Sequence, residues 1–159
     1  PANATGNIQF AVNVVQTTAG AIFNTVNVSY DHDNNTSTAN ISTTSNTARW
    51  NIAPIYQVVL NANANNTNNS GSDDQVTATS ITAGDEVSFT NYVWNTGNTD
   101  DRFNLTINSD NFPTPHQVEF YRADGVTPLL DSNGDGIPDT GNLPAGGMLP
   151  IVVKFANHQ

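Results

Sequence analysis

Cysteine is absent from the 159 residues, which removes disulfide staples and thiolate metal sites together. Positive charge is nearly absent as well. Arg49, Arg102, Arg122 and Lys154 stand against 14 acidic residues, and the formal net charge is −10. Such a chain repels phosphate backbones and has no basic stripe, so nucleic acid is excluded as a partner. No apolar run approaches the roughly 20 residues of a membrane span. Charged residues make up only 11 % of the chain, where about a quarter is usual. The sequence opens at Pro1 without Met or a signal-peptide pattern, as expected of a mature or trimmed product.

Catalytic settings are missing too. Glu86 and Glu119 are the only glutamates, and both begin or lie in strand-like runs, which argues against a glycosidase carboxylate pair. No Ser occupies a Gly-flanked elbow, and His116 and His158 have no obvious acid or nucleophile partner. The expectation is a protein without catalytic residues. Asn fills roughly one position in six and Thr is also abundant, far above ordinary use. An acidic, Lys-poor, Cys-free and Asn/Thr-rich chain fits a secreted or cell-surface protein of a microbe. Asn-x-Ser/Thr sequons at Asn3, Asn27, Asn34, Asn35, Asn40, Asn65, Asn68 and Asn104 follow from that composition and do not by themselves mark glycosylation.

Period-2 alternation dominates and no helical stripe is visible. Strands are expected at Ile8–Val15, Ala21–Tyr30, Thr38–Thr44, Ala48–Ile52, Ile55–Ala62, Gln75–Ile81, Glu86–Trp94, Arg102–Ile107, Gln117–Arg122 and Met148–Phe155. In Glu86–Trp94, one face carries Val87, Phe89 and Val93, interrupted by Asn91, and the other carries Ser88, Thr90, Tyr92 and Trp94. Many short strands between Gly/Pro/Asn turns predict an all-β antiparallel sandwich.

The segment with nameable chemistry is Asp131-Ser132-Asn133-Gly134-Asp135-Gly136-Ile137-Pro138-Asp139. Oxygen side chains recur at relative positions 1, 3, 5 and 9 with Gly at 6, the spacing of an EF-hand loop. Asp131, Asn133, Asp135, the Ile137 carbonyl and Asp139 are therefore candidate ligands for Ca2+. Position 12 is Asn142, where an EF-hand has a bidentate Glu, and no amphipathic helix flanks the loop. The plain alternative is an Asn/Gly-rich turn joining two strands. Asp31-His32-Asp33, Asp73-Asp74 and Asp100-Asp101 read first as solvated turns. Trp50, Trp94 and Tyr92 could stack on sugar rings if aligned and exposed, although Trp in a small sandwich usually serves core or interface.

The run Ala83-Gly84-Asp85-Glu86-Val87-Ser88-Phe89-Thr90-Asn91 leading to Asn95-Thr96-Gly97-Asn98-Thr99 resembles the conserved-repeat domain of bacterial and archaeal surface proteins, first catalogued as a domain of unknown function. Val118–Arg122 followed by Asp131–Asp139, and Leu143–Met148 leading into the last strand, agree with it. The resemblance covers about Tyr56 to Phe155. It implies an immunoglobulin-like sandwich in an extracellular structural or adhesive protein, without enzyme activity. Ala19–Tyr30 with Thr44–Thr47 resembles the closing strands of another such repeat. The division expected is thus a partial sandwich over 1–55 and a repeat domain with the calcium loop over 56–159.

A partial sandwich leaves an open edge and apolar faces that need a neighbour. Two structural roles follow: a subunit of a surface array, or of a fibre or tube assembled by strand exchange between copies of the chain. Donor segments are expected at Pro1–Val15 or Met148–Gln159, because termini reach a neighbour without unfolding a loop. The alternative is a carbohydrate-binding or adhesin module of a longer tandem-repeat protein that contacts cell-surface glycans.

Overall fold

A computed structural model describes residues 5–7, 9, 11–30, 41–68, 77, 84–110, 112 and 115–157. The protein is all-β, with eight strands and no helix among the described residues. They are β1 (Gly20–Asn24), β2 (Asn27–Tyr30), β3 (Ile41–Thr44), β4 (Ala48–Ile52), β5 (Val58–Asn61), β6 (Glu86–Asn95), β7 (His116–Arg122) and β8 (Met148–Asn157). Every ladder is antiparallel.

The four later strands form one sheet in the order β5-β6-β8-β7. Alternation gives this sheet two distinct faces. Register aligns Val87 with Phe155, Phe89 with Val153 and Val93 with Leu149 across β6 and β8, and Val118 with Phe155 and Phe120 with Val153 across β7 and β8. These side chains form the core face. Val93, Ile151, Val153 and Phe155 are buried in one cluster with Leu105, Leu129 and Leu143, which come from irregular segments laid across the sheet. Phe112 stacks on Phe155 with ring centroids 4.1 Å apart, and Phe89 meets the same ring edge-on at 6.0 Å. The outer face is polar along β7: Glu119 accepts hydrogen bonds from Gln117 and Tyr121, and Lys154 pairs with Glu86 at 2.8 Å.

One expected strand and the expected donor segments differ. Arg102–Ile107 has the right alternation, but it holds only an isolated bridge, Asn104 with Asp139, just after the one between Asp101 and Leu143. It is a covering strip over the core, pinned by the Leu105 N–H on the Pro138 carbonyl (2.9 Å) and the Thr140 N–H on the Phe103 carbonyl (3.1 Å). Met148–Asn157 is the more instructive case. As β8 it is paired on both sides, and Val152 is buried on the opposite face from Val153. A central strand so occupied is no free donor. Of the other expected donor, residues 11–15 carry no strand and expose Val12, Val14 and Val15; the rest of Ile8–Val15 lies partly outside the described residues, as does Gln75–Ile81 apart from Thr77.

The first four strands make a bent hairpin arm. β1 pairs with β4 and β2 with β3, and none of them packs on β5–β8. Asn24 faces Ala48 and Asn27 faces Thr44, so Thr25 and Val26 on one side oppose Ser45, Asn46 and Thr47 on the other. The extra residue is a bulge. The ladder crosses it through the Ser45 N–H donating to the Val26 carbonyl (2.8 Å) and the Ser45 hydroxyl accepting from the Val26 N–H (2.9 Å). A one-residue slip exchanges the faces of one strand. Here it brings Ile41, opposite Tyr30, onto the same face as Trp50, opposite Ile22. Ile22, Val28, Tyr30, Ile41, Trp50 and Ile52 thus share one side of the arm, while Phe23, 62 % exposed, lies on the other beneath the Arg49 guanidinium.

Asparagines join arm and sheet. The Asn98 side-chain oxygen accepts from the Ile55 N–H (2.7 Å), its amide donates to the Ala53 carbonyl (3.1 Å), and its backbone exchanges with Ile55 and Ala19. Gly97 is required beside it, since a Cβ there would collide with the Ile55 carbonyl oxygen.

Candidate functional site

The loop expected to carry chemistry is suspended between two buried leucines, Leu129 and Leu143. The Leu129 N–H donates to the Phe120 carbonyl (2.8 Å) on β7, and the Asp139 N–H donates to the Leu130 carbonyl (2.9 Å), which closes the loop at its base. Between these anchors the chain turns on Gly134 and Gly136, at φ 82° and 88°, where a side chain would be strained.

Asp131 organises the turn. One carboxylate oxygen accepts from the N–H groups of Gly134 (2.6 Å), Asn133 (3.2 Å) and Asp135 (3.2 Å), and the other from Gly136 (2.7 Å). The last bond ties relative position 1 to position 6, where a calcium loop makes its sharp turn. Asp135 accepts from the Ile137 N–H (2.9 Å) and from the amides of Asn104 (2.6 Å) and Asn133 (3.0 Å). The Asn104 bond, followed by the other two, holds the Asp135 carboxyl below the usual range against burial and the nearby Asp139 charge.

Asp139 behaves differently. It is 2 % exposed and faces inward. Its carboxylate accepts from the Ser132 hydroxyl (2.6 Å) and N–H (2.8 Å) and from the Gly141 N–H (2.6 Å), and Arg102 Nε lies 3.7 Å away. Burial raises its pKa, but these hydrogen bonds and the guanidinium outweigh that effect and the net shift is downward.

Asp131, Asn133 and Asp135 thus share one exposed loop with Ile137, while Asp139 serves as an internal anchor. Among the described residues no three His, Cys, Asp or Glu side chains converge on one point. The oxygens available to a cation on the loop are therefore those of Asp131, Asn133 and Asp135 and the main-chain carbonyl at Ile137. Asn104 belongs to the site and escapes sequence reasoning, because its only local signal is membership of a sequon.

The other candidates separate. Asp31-His32-Asp33, Asp73-Asp74 and His158 lie outside the described residues. Asp100 accepts from the Asn142 amide (3.1 Å), and Asp101 caps the Arg102 N–H (2.8 Å). His116 pairs with Asp110 at 3.1 Å. Trp94 is half-buried and its indole N–H donates to Asn61 (3.2 Å), whereas Trp50 is 60 % exposed on the arm.

A second feature was not sought in the sequence. On β5, Val58 and Leu60 belong to the core face, since Leu60 lies opposite Val93. Val93 is 1 % exposed, yet Val58 and Leu60 are 50 % and 51 % exposed. The covering strip stops short of this edge. It leaves a groove of about 560 Å3 lined by Val58, Leu60, Phe103 and Leu105 and bordered by Arg102 and by Asn104 and Asn133 of the candidate loop site.

Comparison with protein families, curated proteins and solved structures finds no match for this chain.

Proposed function

We propose that the protein is an extracellular structural subunit that assembles with copies of itself into a surface array, fibre or tube, a β segment of one chain completing the open sandwich of another. The observation that carries this reading is the half-exposed core face of β5. Val58 and Leu60 point to the side that elsewhere on the sheet is sealed, and a soluble chain gains by covering them. The arm, whose strands pack on none of β5–β8, is a second exposed apolar surface. The resemblance to the conserved-repeat domain supports an immunoglobulin-like sandwich at the cell surface.

Calcium belongs to this reading as a stiffener of the loop beside the groove. Asp131, Asn133, Asp135 and the Ile137 carbonyl would hold the ion, while Asp139, buried against Ser132, Gly141 and Arg102, anchors the base of the loop. Bound there, Ca2+ supplies charge neutralisation among carboxylates placed close together.

Sedimentation velocity of the whole chain over a range of concentrations, with calcium and with EDTA, tests the assembly. Species larger than a monomer, growing with concentration, are expected. A compact monomer under every condition overturns the reading. A carbohydrate-binding or adhesin module is the second reading, and the exposed Trp50 ring favours it; glycan-array binding abolished by Trp50→Ala would establish that alternative.

A further inference from the structure

We infer that Asn133-Gly134 is a site of spontaneous covalent modification, deamidation through a succinimide, and that the Asp131 carboxylate is the group that holds the reaction back. The inference is independent of self-assembly and of calcium. The chain contains one Asn-Gly step, Asn133-Gly134, and two Asp-Gly steps, Asp124-Gly125 and Asp135-Gly136. Asparagine is among the thermolabile residues, and a following glycine makes it most so, because no side chain hinders the attacking nitrogen.

In this reaction solvent hydroxide removes the proton of the Gly134 N–H, and the nitrogen attacks Asn133 Cγ. The new N–Cγ bond closes a five-membered imide while the Cγ–Nδ2 bond breaks. The side-chain nitrogen takes up a proton and leaves as ammonia. Water then adds to either imide carbonyl, giving aspartate or isoaspartate at 133. Water is the co-reactant, and nothing is oxidised or reduced. At Asp135-Gly136 the same closure expels water, and reopening by water gives isoaspartate with no change in mass. Both steps lie on the exposed part of the loop, where solvent reaches them. A Cβ placed on Gly134 or Gly136 would meet nothing within 4 Å, so neither nitrogen is shielded by crowding.

What opposes ring closure is Asp131. One of its oxygens accepts the Gly134 N–H at 2.6 Å and the other accepts the Gly136 N–H at 2.7 Å, so a single carboxylate occupies both nitrogens that would attack. A carboxylate is far too weak a base to take an amide proton. Its charge instead stabilises the N–H form and repels the anion that must develop, and charge-assisted hydrogen bonds are the strong ones. The reacting side chains are held off as well. Asn133 Oδ1 accepts from the Asp135 N–H (3.1 Å) and Asp135 Oδ1 from the Ile137 N–H (2.9 Å), so each reaches the residue two ahead and not the adjacent glycine. Deamidation would cost the loop the bond that the Asn133 amide donates to Asp135 (3.0 Å). It would place a third carboxylate between Asp131 and Asp135 and add one negative charge to the formal −10.

The test incubates the full-length protein with EDTA at mildly alkaline pH. Peptide mass spectrometry follows the amide-to-acid mass gain at Asn133, and chromatography of the same peptides follows isoaspartate at Asp135 and Asp124. Native wild type is expected to deamidate at Asn133 about tenfold or more slowly than the same protein held unfolded in urea. Asp131→Ala, folded as judged by an unchanged urea transition, is expected to modify both Asn133 and Asp135 roughly tenfold or more faster than native wild type, the factor that one charge-assisted hydrogen bond supplies. Asp131→Asn, which keeps the size and removes the charge, replaces it if the alanine variant does not fold. Asp124 should keep its rate in either variant, because its Gly125 N–H is held by the Arg122 carbonyl (2.9 Å). Asn104→Ala removes a bond to Asp135 (2.6 Å) without touching either glycine, and should leave the Asn133 rate near that of wild type. An unchanged or slower rate at Asn133 on loss of the Asp131 charge overturns the inference. So does an equal acceleration in Asn104→Ala, which would assign the protection to general rigidity of the loop. A native wild type that deamidates as fast as the unfolded chain overturns it whatever the variants do.

Discussion

Asn95 tests the reasoning most sharply, because it is a buried polar side chain on the apolar face of β6. It is 1 % exposed. Its amide donates to the carbonyls of Thr99 (2.8 Å) and Leu143 (2.9 Å), and its oxygen accepts from the Gly97 N–H (3.0 Å). Leu143 keeps a second donor, the Asp101 N–H at 3.0 Å, so Asn95→Ala leaves the Thr99 carbonyl and the Gly97 N–H without their side-chain partner. Each such group costs about 1–3 kcal/mol when buried, and water reaches the turn in part, so a loss of about 3 kcal/mol is expected. Against a total stability of roughly 5–15 kcal/mol this is a large share. Asn95→Asp separates the mechanisms. It keeps the acceptor but sets a carboxylate against two carbonyl oxygens, so it should destabilise more than alanine does, by about 3–5 kcal/mol. Asn65, which is exposed, serves as a control whose alanine variant should stay within about 0.5 kcal/mol of wild type. Urea unfolding at low protein concentration measures all three, with unchanged m-values required. An Asn95→Asp variant as stable as wild type, or more stable than the alanine variant, refutes the donor account.

Truncating Ile151, which is buried at the centre of β8, should cost about 2–5 kcal/mol as Ile151→Ala, while Val12→Ala in the exposed segment should cost almost nothing by the same urea assay. Gly97→Ala should destabilise by about 1–3 kcal/mol or more through its collision with the Ile55 carbonyl, and limited proteolysis should show the arm released first. Calcium at a hundredfold excess over its dissociation constant should raise stability by about 3 kcal/mol, and EDTA or Asp135→Ala should abolish the rise; a melting midpoint indifferent to both removes calcium. Asp124 gives the acid response. Its pKa is lowered from 3.8 to about 2, first by the Thr127 hydroxyl and then by the Thr127 and Val126 N–H groups. A folded value below the unfolded one means the stabilisation is complete above the ordinary value and disappears as pH falls through about 2. Wild type and Asp124→Ala should therefore differ at pH 6 and converge near pH 1; equal midpoints at pH 6 would refute the cap.

Much of the sheet was readable from alternation. The two faces of Glu86–Trp94 appear in the structure as read, with Val87 and Val93 buried and Trp94 on the opposite face. The same pattern contains a further signal. Val87, Phe89, Asn91, Val93 and Asn95 share parity, so Asn95 had to be buried, but asparagine is so common here that its structural members look like surface ones. The bulge at Ser45–Thr47 was hidden for another reason: an extra residue leaves each strand's own alternation intact and shows only in the pairing between strands. Arg102–Ile107 carries Phe103, Leu105 and Ile107 in strand-like order, yet burial of Leu105 comes from lying across the core rather than from a ladder. Alternation reports which side is buried and is silent on hydrogen-bond partners. At the candidate loop, spacing singled out the residues but not the directions of their side chains, and the inward turn of Asp139 depends on Arg102 and Ser132, of which only the latter is local.

The arm, the groove and the loop are linked by more than proximity. A two-stranded hairpin is marginally stable in water by itself, so an arm with an exposed apolar side gains order as well as burial from any surface that covers it. The groove beside β5 is bordered by Asn133 and Asn104, and both donate to Asp135. Charge on the loop is therefore charge at the rim of the groove, beside Arg102 on its wall. Each copy carries a net −10, and exposed like charges act over a Debye length of about 8–10 Å at ordinary ionic strength. If copies meet through this groove, a cation held at Asp131 and Asp135 and a rise in salt act in the same direction, since both reduce repulsion at the contact. They differ in reach. Salt screens the whole surface and should speed association generally, whereas a bound ion changes only the rim and should act at concentrations too low to alter the Debye length. Assembly triggered by roughly 0.1 M or more added salt of any kind would assign the effect to screening, while a response confined to micromolar calcium and lost in Asp135→Ala would place it at the loop.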